Sequence, residues 1–95
     1  MAYVYILECR DRTYYTGYTV NIEKRLAEHR GGRASKYTRG RLPVQLVYLE
    51  ELPGKSEAMK RELQIKRLSK TAKQHLINSA CRKSQTEQKS SRARH

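Results

Sequence analysis

The chain has 95 residues, with 21 lysines and arginines against 9 acids and a net charge of +12 at neutral pH. So short a chain fills one hydrophobic core, no apolar run approaches the ~18 residues a membrane span requires, and the start lacks a signal peptide's basic head and apolar middle. The last 16 residues hold five cations and one acid, which leaves +8 on the body, so the expected partner is a polyanion, nucleic acid first, in the cytoplasm.

Residues 2–8, AYVYILE, are β-branched and aromatic-rich, and RTYYTGYTV at 12–20 resumes that composition after the polar break CRDR. This predicts two strands joined as a hairpin. Cys9, at the break, and the distant Cys81 have no second Cys or His at zinc-ligand spacing and read as reduced thiols. Asn21 is placed to N-cap a helix over IEKRLAEHR, and Gly31 and Gly32 end it, since glycine accepts the left-handed conformation of a C-cap.

Residues 30–41, RGGRASKYTRGR, hold five cations, three glycines and no acid, and read as a loop. PVQLVYLEEL at 43–52 is nearly continuous in apolar character and is expected to be the central strand, with Pro43 at its first position where no ladder bond is lost. After Pro53 and Gly54, Ser56 is placed to cap a helix running to about residue 69, and a short helix follows over about 70–79. Residues 80–95 are polar, basic and aperiodic, a disordered tail. The fold class is α+β: one domain over residues 1–79, a small three-stranded antiparallel sheet flanked by helices in the order β-β-α-β-α-α.

Several side chains sit where a core alone would not put them. On the helix after Gly54, Glu62 falls about 40° from Ala58 and about 60° from Ile65, inside the apolar arc that Met59 and Leu63 extend, whereas Glu57 falls outside it as an ordinary first-turn acid. A carboxylate there is costly unless neutralised, paired or metal-bound; an i,i+4 pair with Lys66 that draws both heads to solvent would also account for it. On the first helix Ile22, Leu26 and His29 share a stripe that Arg25 borders, one turn before His29, so that a snorkelling arginine and a satisfied core histidine are the structural alternatives to a site. All seven aromatic residues are tyrosine, five of them within the first 18 positions, and Tyr3 and Tyr5 share a strand face. The absence of phenylalanine suggests that hydroxyls are used, although strands also favour aromatics for packing alone.

The ordered set formed by YVYIL, YTG ten residues after its second tyrosine, NIEKRLAEH and a later helix with a glutamate resembles the GIY-YIG nuclease superfamily, in its short stand-alone bacterial form, over about residues 2–78. The resemblance implies a three-stranded antiparallel sheet with helices, a metal-dependent DNA endonuclease or nicking activity in DNA repair or processing, and a monomer or weak dimer. It implies that Tyr5 is the first-motif tyrosine that accepts a proton from water, and that Tyr15 and Gly17 belong to the second motif, Tyr15 orienting water or phosphate and Gly17 admitting substrate close to the backbone. Arg25 then contacts the scissile phosphate, His29 matches a histidine of part of the family, and Glu62 holds Mg²⁺ or Mn²⁺. Tyr3, Thr16 and Gln74 stand where the family usually has glycine, often isoleucine and, in many members, asparagine. The remaining nucleic-acid-binding candidates are Arg33, Lys36, Tyr37, Arg39, Arg41 and Lys66, with cations tracking phosphates and Tyr37 stacking on a base. These serve equally a non-catalytic single-strand DNA or RNA binding module.

Overall fold

The computed structural model describes residues 1–80; the readings for Cys81 and for the tail beyond Ala80 lie outside them. Strands β1 (Ala2–Glu8) and β2 (Tyr14–Thr19) form the expected hairpin. In its turn Arg12 takes a left-handed φ of 70°, and Asp11 Oδ1 accepts from both the Thr13 amide at 3.2 Å and the Thr13 hydroxyl at 2.6 Å. Strand β3 (Gln45–Leu52) pairs antiparallel with the other edge of β1, so the sheet order is β2-β1-β3.

The central strand is therefore β1, not the 43–52 segment expected above. The reason is visible in burial: Val4, Tyr5, Ile6 and Leu7 are all fully buried, as a strand covered on both faces requires, whereas β3 exposes Gln45, Leu49 and Glu51 and lies on an edge. Pro43 precedes β3 rather than opening it, joined to Leu42 by a cis peptide bond.

Helix α1 (Ile22–Arg30) begins where Asn21 Oδ1 accepts the Lys24 amide at 3.1 Å and closes at Gly31; Gly32, at φ 76°, takes the left-handed conformation. The 30–41 loop contains one helical turn, α2 (Lys36–Arg39), capped by Ser35 Oγ, which accepts the Tyr37 amide at 3.1 Å. Helix α3 (Lys55–Lys66) starts from Gly54 without a side-chain cap, so Ser56 lies inside the first turn and the helix stops three residues short of the expected end. Ser69 Oγ then accepts the Ala72 amide at 3.1 Å and opens α4, residues 70–80. Apart from the extra turn of α2, this is the β-β-α-β-α-α order.

Each sheet face has its own core. Ala2, Val4, Ile6 and Tyr48 pack on one face against Ala58 and Ile65 of α3 and Leu76 and Ile77 of α4. Tyr5, Leu7, Cys9 and Val44 pack on the other with Ile22 and Leu26 of α1, Tyr15 and Tyr37. The buried stripe of α3 is narrower than its apolar arc, since Met59 and Leu63 are about half exposed. Glu62, between Ala58 and Ile65 on that stripe, keeps only 19% of its side chain exposed.

Candidate active site

Antiparallel pairing sets Tyr5 directly opposite Gly17. A Cβ on Gly17 would lie 2.6 Å from Tyr5 Oη and 2.7 Å from Cζ, so only glycine leaves room for the phenol over β2. Gly17 is itself buried. Its lack of a side chain makes space for Tyr5, a different reason for glycine from the close approach of substrate expected above.

The fully buried Tyr5 hydroxyl lies 2.9 Å from Nε2 of His29, which is also fully buried, and Nδ1 of His29 lies 3.0 Å from Thr38 Oγ1. Burial pushes His29 down to about 4, with the Arg25 charge acting in the same sense and Glu28 opposing both, so the imidazole is neutral at pH 7. Burial pushes Tyr5 up to about 12, against the nearby Arg25 guanidinium, which favours the phenolate. Desolvation outweighs the neighbouring cation, and the resting proton is on Tyr5.

Arg25 is half-buried on α1. Its Nη1 donates to Glu28 Oε1 at 3.1 Å, and its Nε is buried without a hydrogen-bond partner. A buried donor with no protein partner is a costly arrangement for a residue that only snorkels, and it suits one that awaits an anion.

The Tyr15 ring lies 5.2 Å from that of His29, 6.4 Å from Tyr5 and 5.9 Å, stacked, from Tyr37. Arg41 in turn lies over the Tyr37 ring at 4.0 Å, donates to the Tyr37 carbonyl at 2.8 Å, and reaches Asp11 at 3.0 Å. Tyr37 and Arg41 are therefore engaged within the fold, bracing Tyr15 and the hairpin turn. Arg33, Lys36 and Arg39 differ: they are exposed around a cleft of about 430 Å³ with no ion pair among the described residues. A second cleft, of about 640 Å³, is lined by Arg25 and Glu28 together with Lys24 and Lys55, and Tyr5 is not among its lining residues.

Glu62 pairs with Lys66 at 3.3 Å, the i,i+4 contact foreseen from sequence, although its own side chain stays largely buried rather than drawn to solvent. Its charge is near enough to Tyr5 to oppose ionisation of the phenol. Among the described residues no three His, Cys, Asp or Glu side chains group as metal ligands. A single carboxylate still fits a hard cation such as Mg²⁺, which retains waters and is completed by substrate phosphate oxygens. Of the family-motif departures, Thr16 is buried with its hydroxyl unpartnered, and Gln74 is exposed on α4.

Sequence reasoning did not single out Thr38 or Glu28. Ser35, three residues before Thr38, is a recognisable helix cap, but nothing in the spacing aims Thr38 at His29. No helix among the described residues is long and apolar enough to cross a membrane.

The model of the GIY-YIG catalytic domain matches residues 1–77. UPF0213 proteins of Natronomonas pharaonis and Halobacterium salinarum are similar, at 56% identity over 79% of this chain and 88% of theirs, and 54% over 81% and 100%. The solution NMR structure of a UPF0213 protein from Bacillus halodurans superposes with a TM-score of 0.54 at 47% identity, covering 82% of this chain and 84% of that one. A second NMR structure, of a protein from E. faecalis, gives 0.55 at 39% identity over 83% and 85%. Matched by the domain model over residues 1–77, nearly all of its described length, the chain belongs to the GIY-YIG family of nuclease domains.

Proposed function

We propose that the protein is a divalent-metal-dependent endonuclease that hydrolyses or nicks DNA in repair or processing, acting in the cytoplasm, where a buried free thiol such as Cys9 stays reduced. The observation that carries the proposal is the buried contact between Tyr5 Oη and His29 Nε2, beside an arginine with an unused donor.

Hydrolysis of a phosphodiester requires a proton to leave the attacking water, charge to be neutralised on the phosphate, and the departing oxygen to be stabilised. A phenol held near 12 is a poor source of free phenolate at neutral pH. The neutral imidazole resolves this: Tyr5 passes its own proton to His29 as it takes one from water, so a free phenolate need never form. Arg25 leaves Glu28 for the phosphate, uncovering the Tyr5 hydroxyl and offering its Nε a partner. Neutralising Arg25 in this way removes one of the two influences that hold His29 low, so substrate binding itself makes the imidazole a better acceptor. Tyr15, packed on both rings, keeps them in register, and Glu62, released from Lys66, holds the cation. When bound, that cation supplies charge neutralisation at the departing oxygen. Arg33, Lys36 and Arg39 track flanking phosphates.

A panel of supercoiled plasmid, branched DNA, single strands and structured RNA, incubated with Mg²⁺ or Mn²⁺, tests the reading. Cutting that needs metal and vanishes in Arg25→Ala and Glu62→Gln supports it. Binding by all three proteins with no cutting at any excess would replace it with the non-catalytic binding module.

A further inference from the structure

We propose that Thr38 is the positioning residue that fixes His29 in the tautomer whose bare Nε2 faces Tyr5. The inference rests on the catalytic reading of Tyr5 and His29 for its importance, but the hydrogen-bond geometry carries it independently.

Both ends of the buried chain favour one direction. Thr38 Oγ1 lies 3.4 Å from the Ser35 carbonyl and 3.0 Å from His29 Nδ1. The Ser35 carbonyl, which also takes the Arg39 amide at 3.0 Å, can only accept, and with the Thr38 proton given to it the Thr38 oxygen accepts from Nδ1–H. A neutral imidazole carries a single ring proton, which leaves Nε2 bare to accept from the Tyr5 hydroxyl. At the far end the Arg25 cation is near enough to the Tyr5 oxygen to favour negative charge on it, and a guanidinium only donates. The opposite sense would have Nε2–H donate to Tyr5 and leave the Tyr5 proton with no acceptor, since His29 is the one side-chain partner of that hydroxyl with full hydrogen-bond geometry among the described residues.

Local structure holds the chain in place. Ser35 caps α2, and one helical turn places Thr38, fully buried, under the imidazole. In free histidine the proton prefers Nε2, which would point a donor at Tyr5 and prevent the transfer. The Thr38 hydroxyl reverses that preference.

Long-range ¹H–¹⁵N correlation spectra of the full chain at neutral pH read the tautomer directly, with the three histidines distinguished by His29→Gln. Wild type is expected to show a protonated Nδ1 and a bare Nε2 at His29. Thr38→Val, which keeps the shape and removes the hydroxyl, is expected to move the proton towards Nε2, whereas Thr38→Ser keeps the wild-type pattern. On the best-cut substrate, Thr38→Val is expected to lower kcat by about 10- to 100-fold with KM within about twofold, and Thr38→Ser to restore most of the rate. A wild-type proton on Nε2, or an unchanged tautomer in Thr38→Val, overturns the proposal, and the wild-type spectrum decides even if that variant does not fold. If wild type shows the assigned tautomer and Thr38→Val loses it while no protein cuts nucleic acid, the role of Thr38 stands and the nuclease reading falls.

Discussion

A single methyl group at Gly17 is expected to damage the site out of proportion to its size. The added Cβ would approach Tyr5 Oη to 2.6 Å and Cζ to 2.7 Å, against an ordinary contact of at least 3.4 Å. The phenol must then retreat by about 0.8 Å. It has little room to do so, because it is fully buried, with the His29 ring 5.6 Å away edge-on and its hydroxyl bonded to Nε2 at 2.9 Å. Overpacking of this kind costs about 1–3 kcal/mol, which for a domain of this size lowers Tm by roughly 4–24 °C. A displacement of nearly 1 Å between proton donor and acceptor costs roughly 100-fold in rate. Thermal unfolding of Gly17→Ala, repeated in a Tyr5→Ala background, separates the contact from any backbone preference of the strand. Removing the ring removes the atoms that the methyl group meets most closely, so most of the cost should disappear in the double mutant. An equal cost in both backgrounds, or no cost in wild type, would refute the reasoning.

Other consequences follow from individual contacts. Thr16→Val removes a buried hydroxyl that has no partner, and calorimetry should show a gain of about 1 kcal/mol, or roughly 4–8 °C in Tm. His29 titrates near 4 in the folded chain against an ordinary 6.5, so as pH falls the unfolded chain takes up the proton first; its contribution is complete above 6.5 and is lost between 6.5 and 4. Urea titrations should record a loss of about 3 kcal/mol across that window, and His29→Gln should flatten it; an unchanged slope in the variant would assign the loss elsewhere. Arg41→Ala should destabilise by about 1–2 kcal/mol through lost contacts to Asp11 and Tyr37. Arg39→Ala should leave stability unchanged but reduce the slope of log affinity against log salt by about one, and loss of stability without that change would remove it from the binding surface.

The sheet, both main helices and the Asn21 cap are legible from the sequence because each rests on a local signal: residue type, period or a capping oxygen. The rank of the strands is not. The apolar run from Val44 to Tyr48 looks more central than it is, and the clue lies in Glu50 and Glu51, which a strand covered on both faces would not carry unpaired. Glu50 stays on this edge with the Tyr48 hydroxyl at 2.7 Å and Arg61 at 2.9 Å. Periodicity correctly puts Glu62 on the buried side of α3, yet overestimates that side, since it cannot tell that Met59 and Leu63 stay about half exposed. Contacts between elements are the least legible. That Gly17 must yield space to a ring on the neighbouring strand, or that Tyr37 is held by Arg41, depends on register and loop path, which no spacing encodes. The pKa of Tyr5 is as little legible: counting nearby cations neglects burial, and burial is the larger influence.

Tyr5→Phe tests the central claim most directly, because it keeps the ring over Gly17 and removes only the oxygen that exchanges protons. Single-turnover cleavage and equilibrium binding should be measured for this variant and wild type on the same DNA, with Mg²⁺ and at matched salt. Affinity within about twofold of wild type together with a rate lower by roughly 100- to 10,000-fold is the predicted result. Cleavage by Tyr5→Phe at the wild-type rate would contradict the account, since the hydroxyl could then have no part in the proton transfer.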